Sequence, residues 1–151
     1  MPYAFQIPEE EKDLYARAYG REMPISRKWA YELANAIRGL MLQDAKRLLE
    51  DVIAKRRPIP VRRYTDSVSH RKGKVGPGKY PVKAARFFLK VLKNVEANAE
   101  DKGLDPDRLK LVHVSAYKGR TEVRFKPRAF GRSTPIRKET VNLEVVVKEV
   151  E

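Results

Sequence analysis

Nine Lys and Arg side chains fall within residues 55–79: Lys55, Arg56, Arg57, Arg62, Arg63, Arg71, Lys72, Lys74 and Lys79. One acid, Asp66, opposes them, so the segment nets +8. Eight more, Lys118, Arg120, Arg124, Lys126, Arg128, Arg132, Arg137 and Lys138, fall within residues 117–140 against Glu122 and Glu139, a net of +6. The whole chain carries +13, so the rest of it is close to neutral. Cations concentrated in this way suit one chemistry, neutralisation of the phosphates of a polyanion. A merely solvated lysine-rich surface would scatter its charge over helix faces and balance it locally.

Other constellations are weaker. Gly73-Lys74-Val75-Gly76-Pro77-Gly78-Lys79 fits the first seven positions of a phosphate-binding loop, but Tyr80 stands where Ser or Thr must hold magnesium. Pro77 also removes one of the amides that would cradle phosphate, so these glycines and lysines read better as a clamp on a nucleic-acid backbone. Asp66, Ser67 and His70 have the residue types of a hydrolytic triad, without a nucleophile elbow around them. Glu96, Glu100, Asp101, Asp105 and Asp107 match no calcium-loop spacing and read as a solvated helix end. With no cysteine and only His70 and His113, thiolate metal sites and disulfides are excluded, and zinc sites lack ligands. No catalytic set, cofactor or metal site is expected; His113 reads as a satisfied or surface histidine.

The elements that must carry the cations follow from periodicity. Residues 14–21 alternate apolar and polar as a short strand after an acidic tail, residues 1–11. Ser26 suits the cap of a first helix with Trp29, Leu33, Ile37 and Leu40 on one face, closing near Gly39. Ala45, Leu48, Leu49, Val52 and Ile53 stripe a second helix that ends before Pro58 and Pro60. Ala84, Phe87, Phe88, Val91, Leu92, Val95 and Ala99 stripe a third, opened by Pro81 and stopped at Gly103. Residues 109–117 read as a strand, and Val141, Leu143, Val145 and Val147 alternate as another. Between residues 55 and 79 no periodicity survives, so this stretch is expected to be ordered by its polyanion rather than by its own packing.

Between the last two strands the texture stays strand-like around Thr121, Val123 and Phe125, then turns through Pro127-Arg128-Ala129-Phe130-Gly131-Arg132-Ser133-Thr134-Pro135. This predicts a β-hairpin, polar on both faces, whose arms outrun the sheet. Ten residues from Lys118 to Pro127 span roughly 33 Å, against a radius of gyration of about 15 Å for a body of this size. Its cations cannot be buried, so the hairpin should protrude. Tyr117, Phe125 and Phe130 among the cations add stacking surfaces, and irregular ribbons without a groove-reading helix favour RNA over DNA.

At 151 residues the chain is long enough for one domain with a real core. No apolar run exceeds three residues, so no membrane span is expected, and the first residues lack the pattern of a secretory signal. A cytosolic, non-redox protein is the expectation.

Arg128-Ala129-Phe130-Gly131-Arg132, followed nine residues later by Asn142-Leu143-Glu144-Val145-Val146-Val147, resembles the pattern of the universal large-subunit ribosomal protein L-twenty-two family. Pro127, Ile25-Ser26-Arg27-Lys28 and Asn94-Val95-Glu96-Ala97-Asn98-Ala99-Glu100 are similar to it too, so the likeness runs from about Tyr15 to Lys148. Val123 stands where the pattern expects a basic residue, with Arg124 beside it, and the insert at 55–79 resembles the archaeal and eukaryotic branch. The resemblance implies an α+β fold, three helices packed on a small three-stranded antiparallel sheet with a long protruding basic β-hairpin. It implies one ribosomal-protein domain over 1–151: a body of 1–117 and 141–151 bearing the inserted loop 55–79, and the extended hairpin 118–140. It further implies a non-enzymatic structural component of the large ribosomal subunit, cytoplasmic, that binds large-subunit rRNA and supports its assembly. The hairpin tip, Arg128, Ala129, Phe130, Gly131, Arg132 and Ser133, would line the nascent-peptide exit tunnel near the ribosomal protein L-four. Its implied partners are large-subunit rRNA, neighbouring large-subunit proteins and the nascent peptide, with no membrane or small-molecule substrate. The alternatives are a free RNA-binding regulatory or assembly factor, or an RNA-modifying enzyme, for which the sequence offers neither cofactor loop nor acid–base pair.

Overall fold

Strict alternation gives three strands one apolar face each, and that shared face decides how they assemble. In the computed structural model, which describes residues 3–150, strand β1 (Tyr15–Met23) pairs antiparallel with β6 (Ser133–Glu149), and β6 with β5 (Leu109–Pro127), in the order β1-β6-β5. The registers run from Tyr15 opposite Lys148 to Met23 opposite Val141, and from Leu109 opposite Glu149 to Pro127 opposite Ser133. Ala16 and Ala18, Leu111 and Val114, and Leu143, Val145 and Val147 thereby point to one side and are buried.

Three α-helices close that side: α1 (Arg27–Ile37), α2 (Leu42–Ile53) and α3 (Val82–Glu100). Helix α3 buries Ala84, Ala85, Phe88, Val91, Leu92, Val95 and Ala99, the stripe its sequence predicts except that Ala85 is buried and Phe87 only partly so. Each large side chain fully buried in this way stabilises the fold by about 1.5–3 kcal/mol. Gly103, at φ 77°, stops the chain after α3 in the left-handed conformation, and the Leu104 amide donates to the Ala99 carbonyl at 3.0 Å. Between α1 and α2 the Gly39 amide donates to the Leu111 carbonyl and the Leu111 amide to the Leu40 carbonyl, both at 2.9 Å. That exchange occupies the outer edge of β5, where an open strand would invite aggregation. The α+β class stands as expected.

Two expectations are corrected. Residues 55–79 have order of their own: β2 (Ile59–Pro60), β3 (His70–Arg71) and β4 (Gly76–Lys79) form a second three-stranded antiparallel sheet, β2-β4-β3. Strands of two to four residues are too short to reveal a period, so the sheet is invisible to pattern. It is tied to the body by buried Ile59 and Val61. The tail, of which Met1 and Pro2 lie outside the described residues, packs on the sheet face away from the helices. Phe5 stacks on His113 with ring centroids 5.3 Å apart, Tyr3 meets Tyr19 edge-on at 6.1 Å, and a 3-10 turn spans Glu9–Leu14. Glu144, wholly buried beneath this strap, accepts hydrogen bonds from the Ala4 and Phe5 amides at 3.1 and 3.2 Å.

Candidate nucleic-acid interface

The cations of the insert and the hairpin are held at the surface by short-range devices, each legible in local geometry. Of the seventeen anticipated, all but Arg71 are exposed. Arg71 is half-buried: its Nε donates to the Gly78 carbonyl at 2.9 Å, and its guanidinium lies 5.2 Å from the Tyr80 ring centroid. It therefore also braces the small sheet. Lys55 leaves α2 at φ 57°, turning Arg56 and Arg57 outward. Lys72 and Lys74 sit in the turn between β3 and β4, and Lys79 is opposite Ile59.

Arg62 and Arg63 are set by a carboxylate. Glu32, on α1 and only 3% exposed, accepts from the Arg63 amide at 2.8 Å and the Arg62 amide at 3.1 Å through the same Oε1. A buried charge needs such partners. In return, the root of the insert is fixed against α1 with both arginine side chains facing water.

Along the hairpin the register sorts the side chains. A bulge between Lys118 and Thr121 resets the pleat, and an added Cβ on Gly119 would come within 2.7 Å of the Thr140 hydroxyl oxygen. Beyond it, directly opposed residues share a face. Glu122 opposite Lys138, Arg124 opposite Ile136 and Lys126 opposite Thr134 make a charged face. Val123 opposite Arg137 and Phe125 opposite Pro135 make the other. Phe125 is 70% exposed and Val123 about half. Both faces therefore carry polar groups, as expected: exposed Ile136 sits among Glu122, Arg124, Lys126 and Lys138, while Thr121, Glu139 and Arg137 accompany exposed Val123 and Phe125. Alternation along β5 sorts these side chains, and the bulge fixes which β6 residues lie opposite them. Lys118 and Arg120 lie at the hairpin's root, where Lys118 Nζ is 3.6 Å from Glu139.

The tip is a tight turn. The Arg128 amide donates to the Arg132 carbonyl at 2.8 Å across it, Phe130 and Gly131 take φ of 58° and 64°, and Phe130 is 95% exposed. A phenylalanine in the left-handed region is strained, and this strain presents the ring outward between Arg128 and Arg132. Ala129 and Ser133 are exposed beside it.

One grouping escaped the sequence reading. Arg27, Lys28, Tyr31 and Glu32 of α1, Arg63 and Tyr64 of the insert, and Ala116, Tyr117 and Lys118 of β5 line a cavity of about 360 Å³. Lys28 stands over the Tyr64 ring at 4.9 Å, and Arg63 lies 5.2 Å from the Tyr31 ring and 5.3 Å from that of Tyr64. Local sequence offered only Arg27-Lys28 and Arg63-Tyr64; joining them takes contacts across 36 and 54 residues of chain. At the cavity's edge, the Tyr117 hydroxyl donates to that of Tyr19 at 3.0 Å, and burial first, then this bond, push its pKa well above the ordinary phenol value, making it a weaker acid.

The discounted constellations stay apart from this surface chemistry. The Gly73–Lys79 stretch runs into β4, and α3 begins only at Val82, so no helix N-terminus follows Lys79. Asp66, Ser67 and His70 lie exposed in the insert. Glu96 is engaged by Lys46 and by Gln43 Nε2. His113, read as a satisfied or surface histidine, is half-buried under Phe5, and its Nε2 is buried with no hydrogen-bond partner, 3.7 Å from Glu144 Oε1.

A family model described as "Ribosomal protein L22p/L17e" matches residues 18–148. Among similar curated proteins are the large ribosomal subunit proteins uL22 of Ignicoccus hospitalis and Methanocaldococcus jannaschii. Each is 49% identical, over 99% of this chain and 97% and 95% of their own lengths respectively. The uL22 protein of Picrophilus torridus is 53% identical over 89% of each chain.

Proposed function

From the premise that the chain belongs to the ribosomal protein L22p/L17e family, we propose how its two basic appendages serve a large ribosomal subunit. The protein is a structural component of that subunit, not an enzyme; it binds rRNA and works in the cytoplasmic ribosome, with large-subunit rRNA and ribosomal proteins as its partners.

The finer reading is ours. The chain acts as one domain: residues 1–117 and 141–151 are the body, 55–79 a basic inserted loop, and 118–140 an arm that projects beyond the three-stranded sheet. Lys55, Arg56, Arg57, Arg62, Arg63, Arg71, Lys72, Lys74 and Lys79 contact rRNA phosphates from the insert. Lys118, Arg120, Arg124, Lys126, Arg128, Arg132, Arg137 and Lys138 do so along the arm. The tip, residues 128–133, lines the nascent-peptide tunnel and touches the peptide passing it. The observation that carries this reading is the concentration of net positive charge, on exposed side chains, in these two appendages of a near-neutral body. The exposed Phe125 ring supports it, since a ring beside phosphate-binding cations suits bases as well as backbone.

Sedimentation of a tagged copy from native lysate tests the whole. Stoichiometric migration with the large subunit, lost only on stripping with high salt, is expected; residence at the top of the gradient refutes it. On an isolated rRNA fragment, about 10 neutralised phosphates predict a log–log salt slope approaching about −9 on duplex-like backbone. A slope shallower than about −3 removes the claim that both appendages bind.

A further inference from the structure

We propose that the cavity between α1, the insert and the root of β5 receives one unpaired RNA nucleotide, its base stacked on Tyr31 and Tyr64 and its phosphate held by Arg27, Lys28 and Lys118. The inference rests on the RNA-binding reading above and gives that reading a defined subsite.

Size comes first. At about 360 Å³ the space sits at the small end of the ~300–1,000 Å³ typical of ligand pockets. That holds one base and its sugar and excludes a duplex, which is some twenty ångströms across. Chemistry comes second. Four cations line the space against one carboxylate, Glu32, whose Oε1 is already engaged by two backbone amides. Simple anion binding would need no rings, yet Tyr31 and Tyr64 are 37% and 60% exposed at its wall. An apolar ligand would need no cations. Rings and cations together select a group with a flat π-face and a phosphate, which is a nucleotide extruded from its stack.

Preorganisation comes third. Arg63 lies against both tyrosine rings and is itself tethered through its amide to Glu32, so the rings are held before any ligand arrives. Arg27 and Lys118 meanwhile share Glu139, at 3.8 and 3.6 Å. These are exposed, weak pairs, so an incoming phosphate can take over both cations without stranding a buried charge.

The test uses the full chain with ¹³C-labelled tyrosine rings, titrated with adenosine 5′-monophosphate and, separately, with ribose 5-phosphate. Expected are saturable upfield shifts of the Tyr31 and Tyr64 ring signals with the nucleotide and none with the sugar phosphate. Tyr64→Ala should weaken nucleotide binding at least about 5-fold, while Tyr64→Phe keeps it. Tyr64 is exposed in a loop, so neither variant threatens the core. Equal shifts with ribose 5-phosphate, shifts confined to other tyrosines, or an unaffected Tyr64→Ala variant would each overturn the pocket. If in the same preparations rRNA still binds with a steep salt slope, the subsite alone has failed; loss of both refutes the RNA-binding reading as well.

Discussion

Replacing Glu32 with alanine should free the insert from the body while leaving the core intact. The carboxylate is 3% exposed and its Oε1 accepts two amides, at 2.8 and 3.1 Å. A hydrogen bond to a charged group contributes about 1.5–3 kcal/mol net. The residues bearing these amides are exposed, so once released the amides recover water, and the lower figure applies to each. The two together amount to about 3 kcal/mol, which is roughly a 100-fold change in the equilibrium between docked and undocked insert. Native-state hydrogen exchange reads this directly: protection at the Arg62 and Arg63 amides should fall roughly 100-fold, while amides in the middle of α3 keep theirs. Glu32→Gln retains an acceptor oxygen with two lone pairs but no charge, so about two-thirds of the energy survives and the loss should be nearer 5-fold. Should the insert and body instead unfold as one unit, 3 kcal/mol would lower Tm by about 6–12 °C in a chain of this size. Protection at both amides unchanged in Glu32→Ala, with Tm also unchanged, would falsify the assignment of Glu32 as the anchor. Affinity for rRNA should weaken in the same variant, because the ordering of nine cations then has to accompany binding.

Two further outcomes concern the strap and its ties. Glu144→Ala removes the acceptor of the Ala4 and Phe5 amides, so limited proteolysis should cleave the first residues of the variant at protease levels that spare the parent; equal resistance would show the strap to be held by its rings alone. Lys148 Nζ lies 2.6 Å from Glu11 Oε2, and this hydrogen bond is the main cause holding the Glu11 carboxyl below its ordinary value of 4.5. A carboxyl depressed on folding stabilises the protein above its unfolded value, and the contribution is lost as pH falls through the folded one. The Tm gap between the parent and Lys148→Met should therefore shrink between about pH 6 and about pH 3; a gap constant over that range contradicts the pairing.

What could be read from sequence was whatever repeats over short distances. The α3 stripe from Ala84 to Ala99 and the Val141–Val147 alternation each show their period within a few turns or residues, because burial on one face requires it. The cation runs at 55–79 and 117–140 are likewise local, and desolvation opposes burying them, so the exposure of all but Arg71 followed from sequence. Their function class followed too, since charge concentrated this way has few partners. Only the tertiary structure decided what depends on distant chain meeting. Ile59 opposite Lys79 and His70 opposite Pro77 form a sheet from strands too short to carry a pattern. Phe5 finds His113, and Glu144 the strap amides, over more than a hundred residues of chain. The bulge between Lys118 and Thr121, where Gly119 leaves no room for a side chain beside Thr140, determines which hairpin residues lie opposite one another. Arg27, Tyr31, Tyr64 and Lys118 became one cavity only when Glu32 pinned the insert across α1. Periodicity reports whether a side chain is buried; which residue lies opposite is settled by register, bulges and buried polar anchors, and these arise only when the whole chain closes on itself.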